Sequence, residues 1–200
     1  AVPFGGITAL VFLRDFAKLQ PGQKVLVAGA SGGVGVYAVQ IAKHFEAEVT
    51  ALAGPTKVDL VRSLGADRVI DYTSEDYTAD GETYDLVFDT AGVTTFAEAK
   101  GVLKPGGTYL PLEFGFAGVF RSLLPFLNGG RRVVIGINGD KREDLEILAD
   151  LLARGAIRPV IDSRHPLDRI ADAHRRVEGR HKTGSVVVTV AEPGLRLAAA

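Results

Sequence analysis

Short runs of apolar, mostly β-branched residues alternate along this chain with longer stretches whose apolar positions recur every three or four residues. Such alternation predicts a parallel sheet covered by helices on both faces. The first clear strand is Lys24–Ala28, entered through the turn Gln20-Pro21-Gly22-Gln23, and a glycine-rich turn leads from it into a helix over Gly33–Phe45. Further strands are expected at Val49–Leu52, Arg68–Asp71, Tyr84–Asp89, Thr108–Leu112 and Arg132–Ile137. A helix over Pro55–Leu64 is ended by Gly65, since glycine readily takes the left-handed conformation that closes a helix. Thr95 and Glu98 have the spacing of a capping box, and Lys104-Pro105-Gly106-Gly107 turns the chain into the fifth strand. After the sixth comes an amphipathic helix with Leu145, Ile147, Leu148, Leu151 and Leu152 on one face, Asp140 and Glu143 at its start and Gly155 at its end. These elements make an α/β fold: a doubly wound, six-stranded parallel sheet in the order 3-2-1-4-5-6 with helices on both faces. Residues 1–162, with a leading helix at Ile7–Leu19, read as one domain. Residues 163–191 carry a further helix, Leu167–Glu178, and a strand, Ser185–Val190, that look like parts of an interface; residues 192–200 are a tail.

The turn after the first strand changes the picture from architecture to chemistry. It reads Gly29-Ala30-Ser31-Gly32-Gly33-Val34-Gly35 and sits directly between a strand and a helix. Glycines there let the backbone turn sharply and approach a pyrophosphate, while the helix N-terminus offers free N–H groups and partial positive charge. A tight turn with no ligand is the bland alternative, and the six-strand context weighs against it. The fold is therefore expected to be a dinucleotide-binding Rossmann fold. In NAD sites an acidic residue about twenty positions past the loop holds the ribose hydroxyls. Here Ala53-Gly54 occupies that place and Lys57 follows at once. A cation in the first turn of a helix opposes the helix dipole, and a 2′-phosphate beside it would reverse the sign of that effect. Lys57 reaching solvent is an equally simple reading on its own; together with the absent acid it favours NADP(H).

Composition narrows the field further. Of the 200 residues 46% are apolar, the 24 glycines are spread along the chain, and the net charge is −1, which argues for a globular protein without a basic stripe. Nucleic acid and anionic membrane are thus poor partners, and a small-molecule substrate is expected. The chain has no cysteine, so it holds no disulfide, thiolate zinc site or cysteine nucleophile. Its four histidines, His44, His165, His174 and His181, are too scattered for an obvious metal cluster, and no metal site is predicted. The apolar stretch Phe114–Gly130 is interrupted by Arg121 and Pro125 and is too short to span a bilayer. A cytoplasmic location is the expectation. The chain contains no methionine, so Ala1 does not read as a translated start.

Gly29–Gly35 followed by Val39-Gln40-Ile41-Ala42-Lys43 resembles the zinc-independent, quinone oxidoreductase-like branch of the medium-chain dehydrogenase/reductase superfamily. So do Leu64-Gly65-Ala66-Asp67-Arg68-Val69-Ile70-Asp71-Tyr72, Leu103-Lys104-Pro105-Gly106-Gly107 and Thr183-Gly184-Ser185-Val186-Val187. The resemblance implies hydride transfer from NADPH to a quinone, enone or related carbonyl acceptor, with the family's catalytic domain preceding Ala1. It further implies that Ser31, Gly32, Gly33 and Val34 cradle the pyrophosphate and that Lys57 and Tyr72 face the adenosine phosphate. Thr90, Ala91, Gly92 and Val93 would line the ribose and nicotinamide side, and Leu112, Phe114 and Gly115 would lie near the nicotinamide ring. The final helix and strand would pack on the absent domain. Gly54 stands where NADP-preferring relatives often have serine, a departure from the pattern.

Two other functional readings stay open: a non-catalytic nucleotide-binding or dimerisation module, and a zinc-type alcohol dehydrogenase whose metal ligands lie in the missing domain. A short-chain dehydrogenase is disfavoured, because no tyrosine is followed four residues later by lysine. No catalytic residue is assigned. Asp71, Glu75, Asp76 and Asp80 read as solvated charges, Asp89 as a local backbone cap, and His174 as a packing residue on the stripe Leu167, Ile170, Val177. Strand 132–137, at a sheet edge and apolar, is expected to pair two copies into a homodimer.

Overall fold

The computed structural model describes residues 1–115, 128–139 and 141–190. Its main sheet is built from β1 (Lys24–Ala28), β2 (Glu48–Ala53), β3 (Arg68–Asp71), β4 (Tyr84–Asp89), β5 (Leu103–Pro111) and β6 (Arg132–Val133). Their order is β3-β2-β1-β4-β5-β6, every pairing is parallel, and the doubly wound arrangement is the one expected. Successive strand residues point to opposite faces, and in β1 both faces are dry: Val25 and Val27 enter one apolar cluster, Leu26 and Ala28 the other, all with no exposure. Burial on both faces is why these strands read as unbroken apolar runs rather than alternating ones. The first cluster is completed by α1 (Pro3–Val11), α2 (Gly35–His44), α3 (Val58–Ser63) and α5 (Arg142–Ala153); α4 (Phe96–Val102) packs into the second.

Several elements differ from the expectation. The leading helix starts at Pro3, suited to a first turn, and ends in a π-helical segment, Phe12–Phe16. The segment Pro55–Lys57 is a 3₁₀ turn that precedes α3 rather than its first turn. Gly65 does adopt a left-handed φ of 103° just beyond that helix. Lys104-Pro105-Gly106-Gly107 lies inside β5 as an irregularity in its register with β4, not ahead of it. β6 pairs only at Arg132 and Val133, and beyond them the ring of Phe16 lies where a side chain at Gly136 would stand. In α5 the buried positions are Asp144, Leu148 and Leu151, whereas Leu145 and Ile147 are exposed. Asp144 is buried because Arg14, from the π-helical segment, pairs with it at 2.8 Å. The expected helix-start residue Asp140, residues 116–127 of the apolar stretch and the tail 192–200 lie outside the described residues.

The final segment holds one strand more than expected. β7 (Ile161–Pro166) pairs in parallel with β8 (Ser185–Thr189), joined by a 3₁₀ turn, Leu167–Arg169, and α6 (Ile170–Glu178). Asp162 organises this unit: its carboxylate receives two 2.7 Å hydrogen bonds from Arg176 of α6 and one of 2.8 Å from the N–H of Thr183. The expectation for α6 fails in one respect. His174 is exposed, as are Leu167, Ile170 and Val177, and Ala173 is the residue that packs. The apolar stripe is real in sequence, but the small two-stranded sheet covers only part of the helix.

Candidate functional site

The carboxyl ends of β1, β2, β3, β4 and β5 all open on one side of the sheet, as parallel pairing requires, and in a doubly wound sheet that is the ligand side. The turn after β1 is the centre of this edge. Gly29 has φ 76°, and a Cβ there would lie 2.6 Å from the Cβ of Ala91 and 3.0 Å from the hydroxyl of Thr90. A Cβ on Gly35 would strike the carbonyl oxygen of Gly29 and approach the Cα of Ala30 at 2.7 Å. Glycines at both ends therefore fold the turn back on itself and bring it against the turn after β4. Thr90 fastens the two, its hydroxyl lying 2.8 Å from the carbonyl of Ala28 and 3.1 Å from that of Gly29. Within the turn Gly32 donates to Gly29 at 3.0 Å, but the N–H groups of Gly33 and Val34 have no backbone acceptor among the described residues. Free amides at the start of a ten-residue helix favour an anion.

Asp89, at the end of β4, shapes the neighbouring turn. It is 1% exposed, and its carboxylate accepts the N–H groups of Ala91, Val93 and Thr94, each at 3.2 Å. This is the backbone cap expected of it. The phenol of Tyr109 donates to the carbonyl of Thr94 at 2.8 Å beside the same carboxylate; burial first, and then the Asp89 charge, push that phenol well above the usual tyrosine range. Thr90 to Val93 are thereby held at the site edge. Gly92, φ 64°, faces the carboxylate of Glu113, which a Cβ would approach to 2.9 Å. The segments after β4 and β5 thus touch, with Leu112 half-buried and Phe114 and Gly115 exposed beyond it.

A cleft of about 570 Å³ opens beside β2 and β3, lined by Leu52, Tyr72, Tyr77, Val93 and the loop Thr73–Asp76. Tyr72 is 60% exposed, and its hydroxyl stands 3.3 Å from the place a Cβ would take on Gly54. Lys57 is half-buried at the end of the turn that Gly54 opens, its N–H bonded to the Gly54 carbonyl at 2.9 Å. The loop acids are partly engaged: Asp71 caps Thr73 and Asp76 caps Thr78, and these hydrogen bonds hold both carboxyls below their ordinary range. A smaller cleft of about 300 Å³, between Ala17, Asp85, Pro105 and Arg132, lies at the opposite, amino ends of the strands. Among the described residues no group of three or more His, Asp or Glu side chains converges as a metal site would require, and no helix is long and apolar enough to cross a membrane.

The structure thus gathers Ser31–Val34, Thr90–Val93 and Leu112–Gly115 along one edge and sets Tyr72 beside Gly54. It adds a residue that the reading of the sequence missed: the ammonium of Lys182, which comes from the far end of the chain to lie over Gly33.

Residues 64–188 match the zinc-binding dehydrogenase family. The chain is 34% identical over 198 residues to a chloroplast envelope quinone oxidoreductase homolog of Arabidopsis thaliana, covering 94% of this chain and 60% of that protein. It is 38% identical over 175 residues to an NADPH-dependent alkenal/one oxidoreductase, chloroplastic, of the same plant, covering 86% of this chain and 42% of the relative. Among solved structures, the quinone oxidoreductase from Coxiella burnetii superposes with a TM-score of 0.85 at 28% identity, over 94% of this chain and 59% of that one. A sheet of this order with a glycine turn at its carboxyl edge belongs to the doubly wound α/β class. Within it, the chain belongs to the zinc-binding dehydrogenase family, in the quinone oxidoreductase-like branch of the medium-chain dehydrogenase/reductase superfamily. It spans about 60% of the length of the quinone oxidoreductase homolog.

Proposed function

We propose that this chain is the NADP(H)-binding domain of an oxidoreductase that passes hydride to a quinone, enone or related carbonyl acceptor. The observation that carries the reading is the glycine cradle: side chains at Gly29 or Gly35 would collide with the backbone or with Ala91, and unpaired amides lie between them. Such a surface fits a pyrophosphate. Bound there, the nicotinamide supplies the hydride, and that chemistry belongs to the cofactor. The residues of the chain hold and orient it. Ser31–Val34 receive the pyrophosphate, Thr90–Val93 and Leu112, Phe114 and Gly115 fix the nicotinamide half, and the cleft at Tyr72 takes the adenosine half. NADP(H) over NAD(H) is supported by Ala53-Gly54 in place of an acid and by Lys57 beside them; the alkenal/one reductase relative is named for NADPH. Residues 163–191 are assigned to the contact with a separate catalytic domain, a role supported by the exposed Leu167, Ile170 and Val177.

Consumption of NADPH in the presence of a quinone or an enone, followed by loss of its absorbance, tests the reading. Turnover by the protein carrying its catalytic domain is the expected result. A melting temperature raised by NADPH, with no turnover of either acceptor, would instead make the protein a nucleotide-binding module.

A further inference from the structure

Between α6 and β8 the chain crosses the mouth of the glycine turn. The N–H of Gly184 donates to the carbonyl of Ser31 at 2.9 Å, so this crossing is anchored to the turn itself. Lys182 precedes that anchor. Its ammonium lies 2.9 Å from the point a Cβ on Gly33 would occupy, close above one of the amides that has no backbone acceptor. Its hydrogen bond is to a neutral group, the Gly184 carbonyl at 2.8 Å. No carboxylate pairs with it among the described residues; Asp162, the acid whose charge acts on it, is already engaged by Arg176 and Thr183. Burial accordingly pulls this ammonium below the usual lysine range. A half-buried cation with one neutral partner carries a desolvation cost that a bound anion would offset.

We propose that Lys182 is a cofactor-binding residue whose ammonium closes over the glycine turn and pairs with the diphosphate of the dinucleotide. The proposal rests on the reading of that turn as a dinucleotide site. It gives the β7–α6–β8 unit a part in binding that is separate from its contact with another domain. Both sides of the diphosphate are then served, by amides of the turn below and by a cation from the crossing before β8 above. Lys57 serves the other phosphate, at the adenosine end, so the two lysines divide the charges of the cofactor between them.

The test is calorimetric titration with NADPH, ADP and adenosine 2′-monophosphate of the wild type, Lys182→Met and Lys182→Arg, beside thermal melts without ligand. In Lys182→Met the affinity for NADPH and ADP should fall about tenfold, the loss of one charge-assisted hydrogen bond. Adenosine 2′-monophosphate, which lacks a diphosphate, should bind as before, and Lys182→Arg should recover most of the loss. Wild-type affinity for ADP in Lys182→Met would overturn the proposal while leaving the site intact. Equal weakening of all three ligands with a lowered melting temperature would show a structural lysine and overturn it too. No binding of NADPH, ADP or adenosine 2′-monophosphate by the wild type would remove the dinucleotide reading and this inference together.

Discussion

A methyl group on Gly35 has nowhere to go, since the Gly29 carbonyl and the Ala30 Cα already occupy its place and both are backbone. Gly35→Ala must therefore push the turn open, at a cost of about 1–3 kcal/mol for overpacking. In a chain of this size that corresponds to a melting temperature lower by several degrees, and the reshaped turn should also lose affinity for the nucleotide. Gly101 makes the contrast. It lies in α4 with open space around its Cα and no left-handed φ. Gly101→Ala should stabilise by about 0.5–1 kcal/mol through helix propensity alone. Thermal melts of the two variants check both signs. The same scale shows what the sequence makes legible at the site. Gly29, Gly32 and Gly35 declare themselves because spacing between a strand and a helix is local information. Lys182 does not, because only the fold brings it to Gly33. Glu113 at Gly92 is hidden for the same reason.

Elements were legible where burial is complete. β1, β2 and β4 are dry on both faces, so their apolar runs match the strands they form within a residue or two. β7 was missed because its sequence, Ile161-Asp162-Ser163-Arg164-His165-Pro166, is polar and lies in a two-stranded sheet with little core beneath it. Its polar groups are nonetheless what hold the unit together. The Asp162 side chain is 6% exposed, and the Arg176 guanidinium hydrogen-bonded to it holds the carboxyl far below its ordinary value. A carboxyl depressed on folding adds stability above its unfolded pKa, near 3.9, and loses it as pH falls toward the folded value. The melting temperature of the wild type should therefore exceed that of Asp162→Asn by a constant margin from neutral pH down to about pH 5. Below about pH 4 the margin should shrink. A margin unchanged at the lowest pH would mean that the ion pair is not what secures β7 to α6.

For the molecule as a whole, two surfaces stand open among the described residues and bear on partners. One is the face of α6 with Leu167, Ile170 and Val177; the other is the open edge of the main sheet at β6. An open edge can be paired by a second copy, and the segment 132–137 is proposed as that contact in a homodimer. Two paired residues in β6, and Gly136 packed against Phe16, make the available edge shorter than the sequence pattern implied. Light scattering at micromolar concentration should give twice the mass of the chain, and a monomer would remove the edge-pairing proposal without touching the site. The central claim is the cofactor. Its most direct measurement is calorimetric titration of the chain with NADPH and NADH, repeated on Lys57→Ala. Tighter binding of NADPH than of NADH, with the difference lost in the variant, is the predicted result. Equal affinity for both nucleotides in both proteins would contradict the assignment of NADP(H), and no heat from either would contradict the glycine turn as its site.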